Sequence, residues 1–202
     1  MKNPAQRNSA GSPAVPVAED GPVAVGRKLP DVAIADKGIL VPSVKLERGR
    51  MVLDGKDIGF RPWKSSETRG RVRTIYHLAG RIGIDGVNKA FIEALIAAKL
   101  PEQLPDSPYK TVTILNLSDT LWGTHGIAMG QFEDSQRYFP YALHVADEQG
   151  VAREAWDLEP KQSAVIILDK DGTVLFFKEG RLTPAEIRTA LGLIKGKLGM
   201  AK

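Results

Sequence analysis

The order of strand, glycine-rich turn, helix and strand in the middle of the chain constrains its fold more than any other feature. Val72–Leu78 is an apolar, β-branched and aromatic run that ends before Gly80, and Thr111–Leu117 is a second run of this kind. Between them, apolar residues recur every three or four positions over Val87–Ala98, and Pro101 prevents continuation of this helix. These elements predict a right-handed βαβ crossover that joins two parallel strands.

The helix of this unit is predicted to begin at Asp85, because an aspartate side chain can accept a hydrogen bond from the first free backbone amides. The polar residues Asn88, Lys89 and Glu93 are expected to face solvent, opposite the apolar stripe. A helix with one apolar face is what packing against a sheet requires.

The C-terminal region predicts a β-hairpin followed by a helix. Ala164–Leu168 is a continuous apolar run, Lys170-Asp171-Gly172 is a turn, and Thr173–Lys178 returns antiparallel. Thr183-Pro184-Ala185-Glu186 has the pattern of a capping box with proline at the first helical position, and the helix is expected to end near Leu198.

Three shorter elements are predicted between these two units: a helix within Gly126–Tyr138, a strand at Ala142–Ala146 and one or two helical turns at Val151–Leu158. The complete order is βαβ, a connecting region, a β-hairpin and a terminal helix. This order is typical of an α/β fold of the thioredoxin-like, or redoxin, type, in which helices flank a mixed sheet.

The N-terminal part divides into a leader and an extension of the domain. Met1–Val25 is rich in Pro, Ala, Ser and Gly and lacks aromatic residues, so we predict a disordered leader before one domain at 26–202. The leader contains no continuous apolar stretch of the kind that a signal peptide requires. Val32–Ala35 and Ile39–Val44, separated by Asp36-Lys37-Gly38, predict an N-terminal β-hairpin extension.

The positive charge of the chain is concentrated in one segment. Lys45–Arg73 contains nine basic and four acidic residues, within a chain whose formal net charge is +4. Such a segment can contact nucleic acid through phosphate groups, but an ordinary solvated surface is the favoured interpretation, and no nucleic-acid partner is predicted. The chain has no run of about 20 apolar residues, so no membrane insertion is predicted either.

Several segments of the sequence resemble the YtfJ-type family of Gram-negative bacteria. They are GRVRTIYHLAGR at Gly70–Arg81, AFIEALIAAKLP at Ala90–Pro101, YKTVTILNLSD at Tyr109–Asp119, and SAVIILDKDGTV with the following KEGRLTPAE at Ser163–Glu186. The resemblance extends from about residue 26 to the C-terminus and implies a thioredoxin-like fold and a periplasmic location. It implies no particular biochemical activity.

The chain contains no cysteine, which excludes the chemistry usual for thioredoxin relatives. In redox-active relatives, a cysteine pair spaced i and i+3 follows the strand equivalent to Val72–Leu78, where the helix N-terminus lowers the thiol pKa. The corresponding residues here are about Arg81 and Ile84, and Ser163 stands where those relatives have a cis-proline. Thiol–disulfide exchange and thiol peroxidase activity by this chain are therefore excluded.

The glycine-rich turn at Gly80–Gly86 has an alternative interpretation as an anion or phosphate cradle. Backbone amides at a helix N-terminus attract anions, and Arg81 is placed to pair with them. However, the glycines recur at every third residue and do not form G-x-G-x-x-G, so the turn does not match a dinucleotide site. A structural role in a tight turn is the favoured interpretation.

No catalytic set, metal site or cofactor is predicted. The three histidines show no paired spacing, and Ser163 lacks the flanking glycines of a hydrolase elbow. The candidate residues for binding a ligand or a protein partner are His77, Arg81, Asp85, Trp156 and Ser163, and His77, Arg81, Trp156 and Ser163 are expected to converge on one face. The hypothesis is a non-redox binding or adaptor module. The alternatives are an enzyme of unrelated chemistry and an anion binder at Gly80–Gly86, and the oligomeric state is left open.

Overall fold

A seven-stranded mixed sheet forms the centre of the computed structural model, which describes residues 21–200. The strands are β1 (Ala33–Glu47), β2 (Arg50–Lys64), β3 (Val72–Ala79), β4 (Tyr109–Asn116), β5 (Leu143–Asp147), β6 (Ser163–Leu168) and β7 (Val174–Glu179). The α-helices are α1 (Lys89–Ala97), α2 (His125–Tyr138), α3 (Val151–Ala155) and α4 (Pro184–Lys197). The strand order is β2-β1-β5-β4-β3-β6-β7, and only the β3–β4 and β4–β5 pairs are parallel.

The two predicted supersecondary units are confirmed. β3, α1 and β4 form the βαβ unit, in which Val72 pairs with Tyr109 and Ala79 with Asn116. β6 and β7 form the antiparallel hairpin. At the start of α4, the Thr183 hydroxyl accepts a hydrogen bond from the Glu186 amide, and the Glu186 carboxylate accepts one from the Thr183 amide. Two otherwise free amides are thereby satisfied, which explains why the helix begins there.

Two hydrophobic cores cover the two faces of the sheet. On one face, Tyr76 and Leu78 of β3 pack with residues of α1, α2 and α4, including Phe91, Phe132 and Ile194. On the other face, Ile75 packs with side chains of α3, of the α3–β6 loop and of the segment before β1. The members of this second core outside the sheet are Val23, Leu29, Val32, Ala152, Trp156 and Leu158. Alternation along β3 therefore sends neighbouring side chains into different cores.

The predicted N-terminal hairpin exists, but its strands and its turn differ from the prediction. β1 runs without interruption through Asp36-Lys37-Gly38, and the chain reverses at Arg48-Gly49 instead. Asp36-Lys37-Gly38 lies at a register shift between Ile34 and Ile39, and Lys37–Ile39 pair with β5. Gly38 has φ of +74° and lies against the Arg61 carbonyl, so it forms an irregularity inside a strand and not a turn between two.

The basic segment Lys45–Arg73 forms part of this hairpin and of the chain that follows it. Three of its cations form ion pairs: Lys45 with Glu47 and Asp54, Arg61 with Glu67, and Arg69 with Asp31. Arg73 is buried, donates to the Thr68 hydroxyl and the Asp169 carbonyl, and has a pKa lowered by that burial. Only the pair of Arg69 with Asp31 uses an acidic residue from outside the segment, so most of its excess positive charge is not neutralised by ion pairs within residues 21–200.

The predicted leader lies mostly outside the described residues, which begin at residue 21. Within the described part, Val23 and Ala24 are buried, so the packed chain begins before residue 26. None of the helices between residues 21 and 200 combines the length and the apolar character needed to cross a membrane.

Candidate functional site

The candidate residues His77, Trp156 and Ser163 do not converge on one face. In the pairing of β3 with β6, His77 lies opposite Ala164, and Ser163 lies opposite Leu78. Because successive side chains of a strand point to opposite faces, His77 shares the face of Ala164 and Trp156, whereas Ser163 shares the face of α1. The predicted convergence is therefore wrong: the sheet itself separates these side chains.

His77 and Trp156 are buried. The Trp156 indole Nε1 donates to the Pro30 carbonyl at 2.9 Å, which fixes the segment before β1 against the sheet. Neither ring nitrogen of His77 has a hydrogen-bond partner within residues 21–200, and burial lowers the pKa of His77 to about 4. A neutral, enclosed imidazole packs in the core and is not available to a ligand from solvent.

Ser163 takes part in a polar contact that joins three elements through Asn88. The Asn88 amide donates to the Ser163 hydroxyl at 3.1 Å and to the Gly180 carbonyl at 2.8 Å, and it accepts from the Leu182 amide at 2.9 Å. Asn88 is thus buried, contrary to the prediction that it faces solvent. It also precedes α1 directly, while Asp85 begins a short 3₁₀ turn and does not cap the α-helix as predicted.

Arg81 and Asp85 do line a common site, which is a groove between α1 and α2. The groove has a volume of about 550 Å³. One wall is formed by Ile92, Leu95 and Ile96 of α1 with Ile84 of the preceding loop, and the other by Ala128 and Phe132 of α2 with Phe139, which follows that helix. The floor is formed by Tyr76, Leu78, Thr113 and Leu115. The floor consists of side chains from the face of β3 and β4 that packs against these helices, so the groove follows the direction of β4.

The end of the groove near the start of β4 carries a partly buried carboxyl group. Glu102, which follows α1, accepts hydrogen bonds through Oε2 from the Thr111 amide at 3.2 Å and from the Thr111 hydroxyl at 2.9 Å. Burial raises the pKa of Glu102 above its usual range. The nearby Lys110 ammonium donates to the Glu102 and Tyr141 carbonyls. Burial lowers the pKa of Lys110 to about 8.

A serine and a histidine meet in the wall of the groove. The Ser135 hydroxyl lies 3.0 Å from His144 Nε2, and the His144 ring packs against Phe132 at 4.9 Å between ring centroids. No hydrogen-bond partner orients His144 Nδ1 within residues 21–200, and burial lowers the pKa of His144 to about 4. A histidine held neutral in this way, without an acidic partner, is a weak base for activating a serine.

The opposite end of the groove, at the β3–α1 loop, is built differently. Gly80 packs tightly against the β4–α2 loop, because an added Cβ would lie 2.5 Å from Thr120 Cγ2 and 2.8 Å from the Asn116 carbonyl. Arg81 follows directly and is partly buried, whereas Asp85 is exposed. The two loops also expose apolar side chains, with Ile82, Leu121 and Trp122 all more than half accessible to solvent.

Sequence reasoning missed most of the groove. Glu102, Thr111, Thr113, Ser135 and His144 all line it, yet none was predicted as a site residue. One signal was available: the hydroxyl residues Thr111 and Thr113 lie two positions apart in β4, so they share one face of the strand with Leu115. A metal was not expected, and within residues 21–200 no group of three acidic or histidine side chains is arranged to hold one.

Comparison with known proteins places this chain in a family. Residues 23–197 match the family model described as "Bacterial protein of unknown function (YtfJ_HI0045)". The chain belongs to this family. It is 34% identical over 170 residues to the uncharacterized protein YtfJ of Escherichia coli K12, with 84% of each chain covered. It is 38% identical over 157 residues to an uncharacterized protein of Haemophilus influenzae, with 77% of this chain and 83% of the relative covered.

Solved structures confirm that this YtfJ-family chain has a thioredoxin-like fold. It is similar to a Chlorobium tepidum protein assigned as a thiol:disulfide interchange protein DsbE, with a TM-score of 0.53 and 16% identity over 87% of this chain and 98% of the other. A Bacteroides thetaiotaomicron protein assigned as a protein disulfide isomerase has a TM-score of 0.54 and 11% identity, with coverages of 87% and 90%. At such identities the similarity concerns the fold alone.

Proposed function

We propose that this protein is a non-redox binding protein that holds an elongated, mainly apolar small molecule in the groove between α1 and α2. The observation that carries this proposal is the groove itself, a mainly apolar concavity of about 550 Å³ with a few polar groups at its ends and in its walls and floor. Ligand sites of small molecules have this size and this composition. A hydrocarbon chain lying parallel to β4 would contact Leu95, Phe132 and Leu115 along its length.

Binding is favoured over catalysis because the polar groups do not form a reacting set. The Ser135–His144 pair has a neutral histidine of low pKa, and the Glu102 carboxyl group is engaged by Thr111. The cysteine positions of redox-active relatives are occupied by other residues, so the scaffold has no thiol to react. The groove exposes apolar side chains that an apolar ligand would cover. Each Å² of apolar surface removed from water on binding stabilises the complex by roughly 25 cal/mol.

Filling the groove should abolish binding. Ala128 lies on the α2 wall, so Ala128→Trp places an indole where the ligand would lie. We expect the neutral probe N-phenyl-1-naphthylamine to fluoresce strongly with the wild-type protein, and the variant to bind it at least about tenfold more weakly. Fluorescence titration of purified protein measures both dissociation constants.

Ala185→Trp is the matched control, because Ala185 is exposed on α4 and does not line the groove. It should bind the probe as the wild type does. Equal binding by Ala128→Trp and the wild type, or no binding by the wild type, would overturn the proposal. Thermal unfolding of each variant shows that the comparison is made between folded proteins.

We also propose that the protein acts in the periplasm. The support is the resemblance to the YtfJ-type family, which implies that compartment. Fractionation of cells that express the protein from its native gene tests the location, with a cytoplasmic and a periplasmic marker enzyme followed in parallel. Recovery with the cytoplasmic marker would contradict it.

A further inference from the structure

We propose that the ligand of the groove carries an anionic head group, and that Arg81 binds this head group at the β3–α1 end. This inference rests on the proposed function and adds the charge and the orientation of the ligand. The chemical class is a hydrocarbon chain that ends in a carboxylate or a phosphate.

Arg81 is the cation best placed for this contact. Its side chain lines the groove directly after Gly80, and its guanidinium Nε is buried without a hydrogen-bond partner within residues 21–200. Within residues 21–200 Arg81 forms no ion pair, whereas Nζ of Lys89, which also lines the groove, lies 3.9 Å from Glu93 Oε1. A partly buried guanidinium that lacks an anion gains most from a ligand that supplies one.

The charges around the groove set the orientation of the ligand. At the Arg81 end, the carboxylate of Asp85 is exposed to solvent, and the carboxylate of Glu93 is paired with Lys89. The N-terminus of α1 lies at this end, so its helix dipole adds positive potential. At the other end, the Glu102 carboxyl group and the C-terminus of α1 disfavour an anion, and the Lys110 ammonium nearby is engaged by the Glu102 and Tyr141 carbonyls and does not line the groove. An anionic head is therefore attracted to Arg81 and repelled from Glu102.

The Arg81 end alone does not distinguish carboxylate from phosphate. A guanidinium binds either group through two parallel hydrogen bonds, so a fatty acid and a phosphorylated chain share this chemistry. The experiment therefore includes one ligand of each kind, decanoate and decyl phosphate. Decanol supplies the same chain without charge, and decylammonium supplies it with the opposite charge.

Competition against N-phenyl-1-naphthylamine measures the contribution of the head group. We expect decanoate or decyl phosphate to bind the wild-type protein about tenfold more tightly than decanol, with decylammonium weaker than both anions. In Arg81→Gln, this preference for the anions should disappear, while decanol binds as it does to the wild type. Arg188→Gln, which removes an exposed charge on α4 outside the groove, should keep the preference.

The outcomes separate this inference from the proposed function. Equal affinity for decanol and both anions, or an anion preference that persists in Arg81→Gln, would overturn the role of Arg81 and leave the apolar groove in place. Tighter binding of decylammonium than of the two anions would overturn the proposal that the head group is negatively charged. Failure of all four ligands to displace the probe would instead contradict the groove as a chain-binding site. Arg81→Lys provides a second variant. It should retain part of the preference for anions, because lysine keeps the positive charge but cannot form the two parallel hydrogen bonds of a guanidinium.

Discussion

Acidification from pH 7 to pH 4 is expected to lower the free energy of unfolding by about 3 kcal/mol for each of two buried histidines. Burial lowers the pKa of both His77 and His144 to about 4, whereas an unfolded histidine titrates near 6.5. Between these values the unfolded chain binds protons that the folded chain excludes. Stability is therefore complete above the unfolded pKa and is lost as the pH falls towards the folded pKa.

Two carboxyl groups oppose this loss. Burial raises the pKa of Glu102 and of Asp147, so in their titration range the folded protein binds more protons than the unfolded chain, and acidification stabilises it there. The lowered pKa values of Asp169, Asp171 and Glu186 act in the other direction, because acidification removes the stability that these carboxylates contribute, so the histidine contributions must be isolated by substitution.

Substitution of either histidine isolates its contribution. Urea unfolding at a series of pH values gives a slope, and each proton taken up only on unfolding adds about 1.4 kcal/mol per pH unit. His77→Leu and His144→Leu should each lower this slope by about 1.4 kcal/mol per pH unit between pH 6.5 and pH 4, because one fewer proton is taken up on unfolding. This change is expected whatever the effect of the substitution on absolute stability. Slopes equal to that of the wild type would show that the imidazoles are not held neutral.

Asn88→Ala is expected to destabilise the protein by about 3 kcal/mol. The Asn88 side chain makes three hydrogen bonds, to the Ser163 hydroxyl, the Gly180 carbonyl and the Leu182 amide. These bonds connect the start of α1 to β6 and to the β7–α4 loop. Alanine leaves buried groups without partners, which costs more than the bonds themselves contribute. Chemical denaturation at neutral pH measures the change.

Ser163→Ala provides the comparison for Asn88, because it removes one of the three contacts. We expect a loss of about 1 kcal/mol for Ser163→Ala. The loss of stability in the double variant should be smaller than the sum of the two single losses, because each single variant already removes the same Asn88–Ser163 hydrogen bond. Strict additivity would show that the two side chains act independently.

The local patterns of the sequence predicted much of the fold. The βαβ unit, the β6–β7 hairpin and the Thr183 capping box are each specified by neighbouring residues, so their positions follow from spacing and turn chemistry. The first hairpin was misplaced because Asp36-Lys37-Gly38 has turn composition, yet its pairing with β5 keeps it inside β1. That pairing involves residues far along the chain, which no local pattern contains.

The candidate site was harder to predict than the fold. The convergence of His77 with Ser163 failed because register decides which face a side chain occupies, and a shift of one residue reverses the face. The groove arises from the spacing between α1 and α2 on one face of the sheet. That spacing depends on the packing of the whole face, so no pattern in the sequence around Glu102 or His144 indicated that they line a site. Arg81 and Asp85 were found because the β3–α1 loop follows directly from the βαβ prediction.

The proposed binding site lies on the same scaffold that carries thiol chemistry in other thioredoxin-like proteins. Here the β3–α1 loop presents Arg81 where those proteins are expected to have a cysteine, and the adjoining apolar groove extends towards Glu102. A change from covalent chemistry to ligand binding at one loop needs no change in the sheet. The fold is therefore compatible with a function that uses electrostatic and apolar contacts alone.

The groove is tested most directly by the changes in backbone amide NMR shifts when decanoate is titrated into isotope-labelled protein. The expected result is that the largest changes map to Arg81, to Thr111–Leu115 on β4 and to the facing residues of α1 and α2. Changes confined to the exposed Leu121–Trp122 loop, or to the opposite face around α3 and Trp156, would contradict the assignment of the groove as the binding site.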